Sequence, residues 1–131
     1  MKKKTFMIVV YGKDNCPHCK ELQRTLAQVL QESDPLFFTD IQNLSKIEGL
    51  VAYAKAETIN GQRIPALQIM KWDNETSCYQ KMVDPRKPIK NQSQGIEYMP
   101  TYLQLQTDYA NHRYITKEQI VALMDIARED L

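Results

Sequence analysis

An α/β domain is predicted for this chain of 131 residues, because apolar strand-like runs alternate along it with stretches of helical periodicity. The first run, residues 5–11, is a continuous apolar strand of the kind buried on both faces of a sheet. It leads directly into Cys16-Pro-His-Cys19, where a helix begins. Strand, helix, strand, helix, a strand pair and a closing helix describe one small α/β sandwich, with no internal repeat and no domain boundary.

Each element has its own signal. From Pro17 the apolar residues Leu22, Leu26, Val29 and Leu30 fall on one stripe of a helix that Glu32-Ser-Asp-Pro35 ends. Residues 36–41 follow as a second strand. Ser45 and Glu48 have the spacing of a capping box, and they open a second amphipathic helix through Leu50, Val51 and Ala54 that stops near Asn60-Gly61. Residues 66–72 and 77–83, joined by the turn Asp73-Asn-Glu-Thr76, read as a hairpin. The polar stretch from Asp84 to Gln94 lacks periodicity and reads as an exposed loop. Residues 101–106 and 113–115 lie on either side of a turn around Asn111. Thr116 and Gln119 then cap a last helix whose apolar stripe is Ile120, Leu123, Met124 and Ala127.

Composition narrows the function classes. The net charge is +1, and apart from Lys2-Lys3-Lys4 and a looser group at Arg86, Lys87 and Lys90 the basic residues are scattered, so no nucleic-acid partner is expected. No apolar run has the length needed to cross a bilayer, so no membrane partner is expected either. The lysines ahead of Phe6-Met-Ile-Val-Val10 imitate a signal peptide, but the run is short, lacks a small-residue cleavage site and is needed as the first strand. Three cysteines are too few for a disulfide scaffold, and a reducing, cytoplasmic setting suits a pair that cycles rather than one that stays locked. A monomer is expected.

The spacing of Cys16 and Cys19 carries the chemistry. With Pro17 at the first helical position, the pair sits at a helix N-terminus, where unpaired N–H groups and the positive end of the dipole favour a thiolate. Cys16, the outer residue, is the expected nucleophile. Cys19, almost one turn further in, is the expected resolving thiol, able to attack a mixed disulfide on Cys16. His18 between them carries partial positive charge, which favours the Cys16 thiolate, stabilises the reduced form and makes the pair more oxidising. A zinc site would need four ligands, and Cys78, His18 and His112 supply no second close pair, so no metal is expected. Cys78 reads as a small core residue of a strand. Trp72, Tyr98, Tyr102 and Tyr109 read as packing, with a substrate groove as the alternative.

The order of elements and the Cys-Pro-His-Cys at the end of the first strand resemble the thioredoxin superfamily, and glutaredoxins most of all. The likeness covers nearly the whole chain and implies a thioredoxin fold: a central mixed sheet of about four strands flanked by three or more helices, here with an inserted segment. Tyr11-Gly-Lys13-x-x-Cys16-Pro-x-Cys19 is similar to the glutaredoxin opening, in which a lysine at the place of Lys13 helps bind the carboxylate of glutathione. Asn60-Gly-Gln-Arg-Ile64-Pro65 resembles the segment that carries the family's cis-proline. The family's Gly-Gly pair, which holds the γ-glutamyl end of glutathione, is absent. The ending from Gly95 through Met99, Pro100 and Thr101 looks instead like that of thioredoxin, which makes Pro100 the alternative cis-proline to Pro65.

The resemblance therefore implies a thiol-disulfide oxidoreductase that reduces protein disulfides or glutathione mixed disulfides through Cys16 and Cys19, with Lys13, Pro17, His18, Ile64 and Pro65 lining the substrate site. A cis-proline turns the backbone groups of the residue before it toward the dithiol, where an extended peptide can pair with them. No bound cofactor is needed, and glutathione is the expected electron donor. The alternatives are recharging by a flavoprotein thioredoxin reductase, or a binding module that retains the fold without catalysis.

Overall fold

The structure is a computed structural model that describes residues 4–30, 34–56, 59–85 and 102–131. The helix stop at Glu32-Ser33, the basic group at Arg86, Lys87 and Lys90, the polar stretch beyond Pro85, and Tyr98, Met99 and Pro100 lie outside these residues.

Both faces of β1 (Phe6–Gly12) are buried, as an unbroken apolar run requires. Phe6, Ile8 and Val10 point to one side, where Leu22 and Leu26 of α1 (Pro17–Leu30) and Ile120, Leu123, Met124 and Ala127 of α3 (Lys117–Arg128) pack on them. Val9 and Tyr11 point to the other, where they meet Ala56, Ala52 and Tyr53 of α2 (Ile47–Ala56). The period of two along the strand thus feeds two cores, with two helices over one face and one over the other.

Among the described residues the sheet is mixed and five-stranded. β2 (Phe37–Asn43) runs parallel to β1, and β3 (Ala66–Asp73) runs antiparallel on its other side. β4 (Cys78–Lys81) and β5 (Gln104–Gln106) both pair antiparallel with β3, at Met70–Asp73 and Ala66–Gln68 respectively. Val83, after β4, and Tyr102, before β5, form an isolated antiparallel bridge. The expected hairpin across Asp73-Asn-Glu-Thr76 is present, closed by Ser77 at φ 55°. Residues 113–115 do not form a strand; Arg113 makes only an isolated bridge to Asp108. Among the described residues no helix is long and apolar enough to cross a membrane.

The second helix differs from its sequence reading on two points. Ser45 does not cap it: the Ser45 hydroxyl accepts from the Asp14 N–H at 3.0 Å, and the helix starts beyond it at Ile47. Leu50, Val51 and Ala54 are not its buried face either, since all three are exposed. The face turned inward is Gly49, Ala52, Tyr53 and Ala56, small residues apart from the tyrosine. Close approach explains the choice. A Cβ at Gly49 would collide with the Asn43 carbonyl, so the helix can sit this low on the turn after β2 only through its small face.

The buried stripe of α1 and the exposed face of α2 make a contrast that can be measured. Leu26→Ala, at a residue 1 % exposed, is expected to cost about 2–5 kcal/mol in chemical denaturation. Leu50→Ala, at a residue 52 % exposed, should stay within about 0.5 kcal/mol of wild type. Equal losses would return Leu50 to the buried face.

Candidate redox site

The geometry of the dithiol follows from how β1 ends. Residues 13–15 turn the chain away from the sheet, with Asn15 at φ 57°, a left-handed conformation that asparagine tolerates better than most side chains. Cys16 then stands at the N-cap of α1 and Pro17 at its first helical position. The Cys16 carbonyl accepts the first helical bond, from Lys20 N–H at 3.2 Å. The Cys19 N–H donates to Cys16 Sγ at 3.2 Å, so sulfur takes the part that a serine or aspartate oxygen usually plays at a helix start. Cys16 and Cys19 are joined as a disulfide, their Cα atoms 5.2 Å apart. After reduction the same N–H and the same helix end face the Cys16 sulfur, which favours its thiolate.

Cys19 reaches this position because Gly12 has no side chain. A Cβ on Gly12 would lie 3.2 Å from Cys19 Sγ, tight enough to push the sulfur away. The turn between the strand and the cysteines is also tied down from β2. Leu44 N–H donates to the Gly12 carbonyl at 2.7 Å, and Asn43 Nδ2 donates to Asp14 Oδ1 at 2.7 Å. Together with the Ser45 hydroxyl on Asp14 N–H, these bonds fix the loop that aims Cys16. Lys13 is exposed on this loop and borders a shallow cleft of about 210 Å³ that also contains Asn15, Cys19 and Lys20.

The Ile64–Pro65 peptide is cis, one residue before β3. Tyr11 of β1 lies opposite Ala66 of β3, so the cis-proline and the cysteines emerge at the same end of the sheet. The segment after β5 buttresses this turn. Thr107, fully buried, donates through Oγ1 to the Pro65 carbonyl at 2.7 Å, and Arg63 Nε donates to the Thr107 carbonyl at 3.0 Å. Tyr109 Oη donates to the Ile64 carbonyl at 2.6 Å.

One aromatic group links the two halves. The His18 ring stacks on Tyr114, centroids 4.5 Å apart and planes within 12°, and meets the Tyr109 ring edge-on at 5.8 Å. Burial, and then the neighbouring Tyr114, push the Tyr109 phenol above the ordinary tyrosine range, which keeps its hydroxyl a donor. Tyr11, at the end of β1, is pushed up to about 12 by burial, with a smaller contribution from Asp40.

The expected site residues thus divide. Cys16, Pro17, His18, Cys19, Ile64 and Pro65 gather at one end of the sheet with Lys13 at the rim, while Met99 and Pro100 fall outside the described residues. Cys78 is not a core residue: it is exposed on β4, near the Thr76 hydroxyl and the Gln80 amide. Its strand lies at the edge of the sheet, where alternate side chains face water. Trp72 and Tyr102 pack elsewhere, against Tyr79 and under Lys81. Among the described residues no three His, Cys, Asp or Glu side chains gather as metal ligands. Sequence reading did not single out Asn43, Thr107 or Tyr114. Their roles depend on tertiary proximity across 29 to 96 positions, and only the tyrosine-rich stretch from 109 to 114 gave any local signal.

No family model and no curated protein matches the chain. A solved structure, that of a malarial protein, is similar with a TM-score of 0.50 at 11% identity, covering 93% of this chain and 96% of that one. At that identity the likeness concerns the fold alone.

The asymmetry of the pair is open to test by brief iodoacetamide treatment of the reduced protein at about pH 6, where an ordinary thiol is almost fully protonated. Cys16 should be modified ahead of both Cys19 and the exposed Cys78. Cys19 reacting first would reverse the assignment of nucleophile.

Proposed function

We propose that this chain is a thiol-disulfide oxidoreductase of thioredoxin fold, glutaredoxin-like in its opening, that reduces protein disulfides or glutathione mixed disulfides. The observation that carries the reading is the Cys16 sulfur at the N-cap of α1, bonded to Cys19 and receiving the Cys19 N–H, at the same end of the sheet as a cis-proline. A locked structural disulfide needs none of this placement. A reactive pair needs a stabilised thiolate and a second thiol within reach, and both are supplied by one turn of helix.

In the proposed cycle the reduced protein attacks a substrate disulfide with the Cys16 thiolate, which forms a mixed disulfide and releases one substrate sulfur as thiolate. Cys19, giving up its proton to solvent or to the departing thiolate, attacks the Cys16 sulfur. The second substrate thiolate leaves, and the protein keeps the Cys16–Cys19 disulfide. Two electrons have passed to the substrate. A donor of two electrons must then restore the dithiol. Glutathione is the donor favoured by the Lys13 position, since Lys13 and Lys20 flank the cleft against Cys19 and can attract a carboxylate. The missing Gly-Gly pair favours a flavoprotein reductase instead.

Turnover in two coupled systems separates these donors: glutathione with glutathione reductase, and a thioredoxin reductase alone. Wild type should turn over in at least one, Cys16→Ser in neither, and Cys19→Ser should accumulate a mixed disulfide on Cys16 detectable by mass. Cys78→Ser should leave the rate within about twofold, as expected for a surface change away from the site. Full activity in Cys16→Ser would sink the reading.

A further inference from the structure

We propose that Tyr109 is a specificity-determining residue that withholds the backbone acceptor beside the cis-proline from extended peptide substrates. The inference rests on the oxidoreductase reading and concerns the same site.

An extended peptide that docks on exposed backbone does so by adding to it as a strand, exchanging N–H and C=O bonds with it. Next to the dithiol, the groups on offer are those around the cis bond, and their acceptors are taken from within the chain. The Ile64 carbonyl holds the Tyr109 hydroxyl at 2.6 Å, and the Pro65 carbonyl holds the Thr107 hydroxyl at 2.7 Å. Thr107 is fully buried and cannot yield its bond without disturbing the end of β3. Tyr109 is 39 % exposed, so its hydroxyl can turn to water when a competing donor arrives. Its ring also stands between the two halves of the site, 5.8 Å from His18 on one side and bonded to Ile64 on the other. Stacking of His18 on Tyr114 at 4.5 Å braces that position. Cys16 is 4 % exposed, so a bulky substrate reaches its sulfur only with movement of the surrounding groups.

It follows that a peptide that takes the Ile64 acceptor competes there with the Tyr109 hydroxyl, whereas a small disulfide without peptide groups has no use for it. Tyr109→Phe keeps the ring and removes only the competitor. The test follows oxidation of the reduced protein in a single turnover, which needs no recycling donor. Three oxidants are used: a disulfide-linked extended peptide, the same peptide with the amides flanking its cysteine N-methylated, and 2-hydroxyethyl disulfide. Tyr109→Phe should react with the unmodified peptide about three- to tenfold faster than wild type, the range that one net hydrogen bond spans. Its rates with the N-methylated peptide and with 2-hydroxyethyl disulfide should match those of wild type. For wild type itself, N-methylation should slow the reaction less than it slows that of Tyr109→Phe.

Equal acceleration with all three oxidants would mean that the substitution merely opens the site, and would overturn the proposal. So would an unchanged or slower reaction with the unmodified peptide. Wild type that is oxidised by none of the three at Cys16, while remaining folded, would instead overturn the oxidoreductase reading and this inference with it.

Discussion

The antiparallel pairing of β1 with β3 brings together two segments that are far apart in the chain, because Tyr11 is set opposite Ala66, and a slip of one residue in that pairing would turn every side chain of the strand to the other face. The cysteines follow directly from the end of β1, and the cis-proline directly precedes β3. A slip of one residue would exchange Ile8 and Val10, which fit the core shared with α1 and α3, for Val9 and Tyr11, which fit the core under α2. The packing of the two cores therefore holds the redox site in register.

Within that frame the cysteines are placed by local rules. Gly12 leaves room for Cys19, Asn15 supplies the left-handed turn, and Pro17 starts the helix without wasting an N–H. The result is a sulfur at a helix N-terminus with a backbone N–H 3.2 Å away. Neither a charged neighbour nor a metal is required to explain why a thiolate would be favoured there. His18, expected from sequence to be an electrostatic aid to Cys16, is in the structure one ring of a stack with Tyr114. The exposed end of α1 and the chain after β5 are joined through it.

Much of this is legible in the sequence. The buried first strand, the helix stripes of α1 and α3, the capping box at Thr116 and Gln119, and the Cys16/Cys19 pair are all carried by neighbours in sequence, where periodicity and capping act. Pro65 as the cis-proline rested on the resemblance carried by Asn60-Gly-Gln-Arg-Ile64-Pro65, and the cis peptide is there. The second helix was misread because hydrophobicity favoured Leu50 and Val51, whereas steric fit over Asn43 selected the face with Gly49 and the alanines. Ser45 was misread for a related reason: its hydroxyl had a better-placed N–H on Asp14, 31 positions away. Pairings of that kind leave no trace in a local pattern, and the Tyr109 bond to Ile64, over 45 positions, belongs with them.

The central claim is that Cys16 and Cys19 form a reversible dithiol and not a structural bridge, and equilibrium redox titration addresses it most directly. The protein is brought to equilibrium with a series of thiol-disulfide buffers, quenched by alkylation and read by mass at each cysteine. The account predicts one two-electron transition confined to Cys16 and Cys19, with a midpoint above about −300 mV, the region below which structural disulfides lie. A pair that stays oxidised through that range, or a transition that involves Cys78, would contradict it.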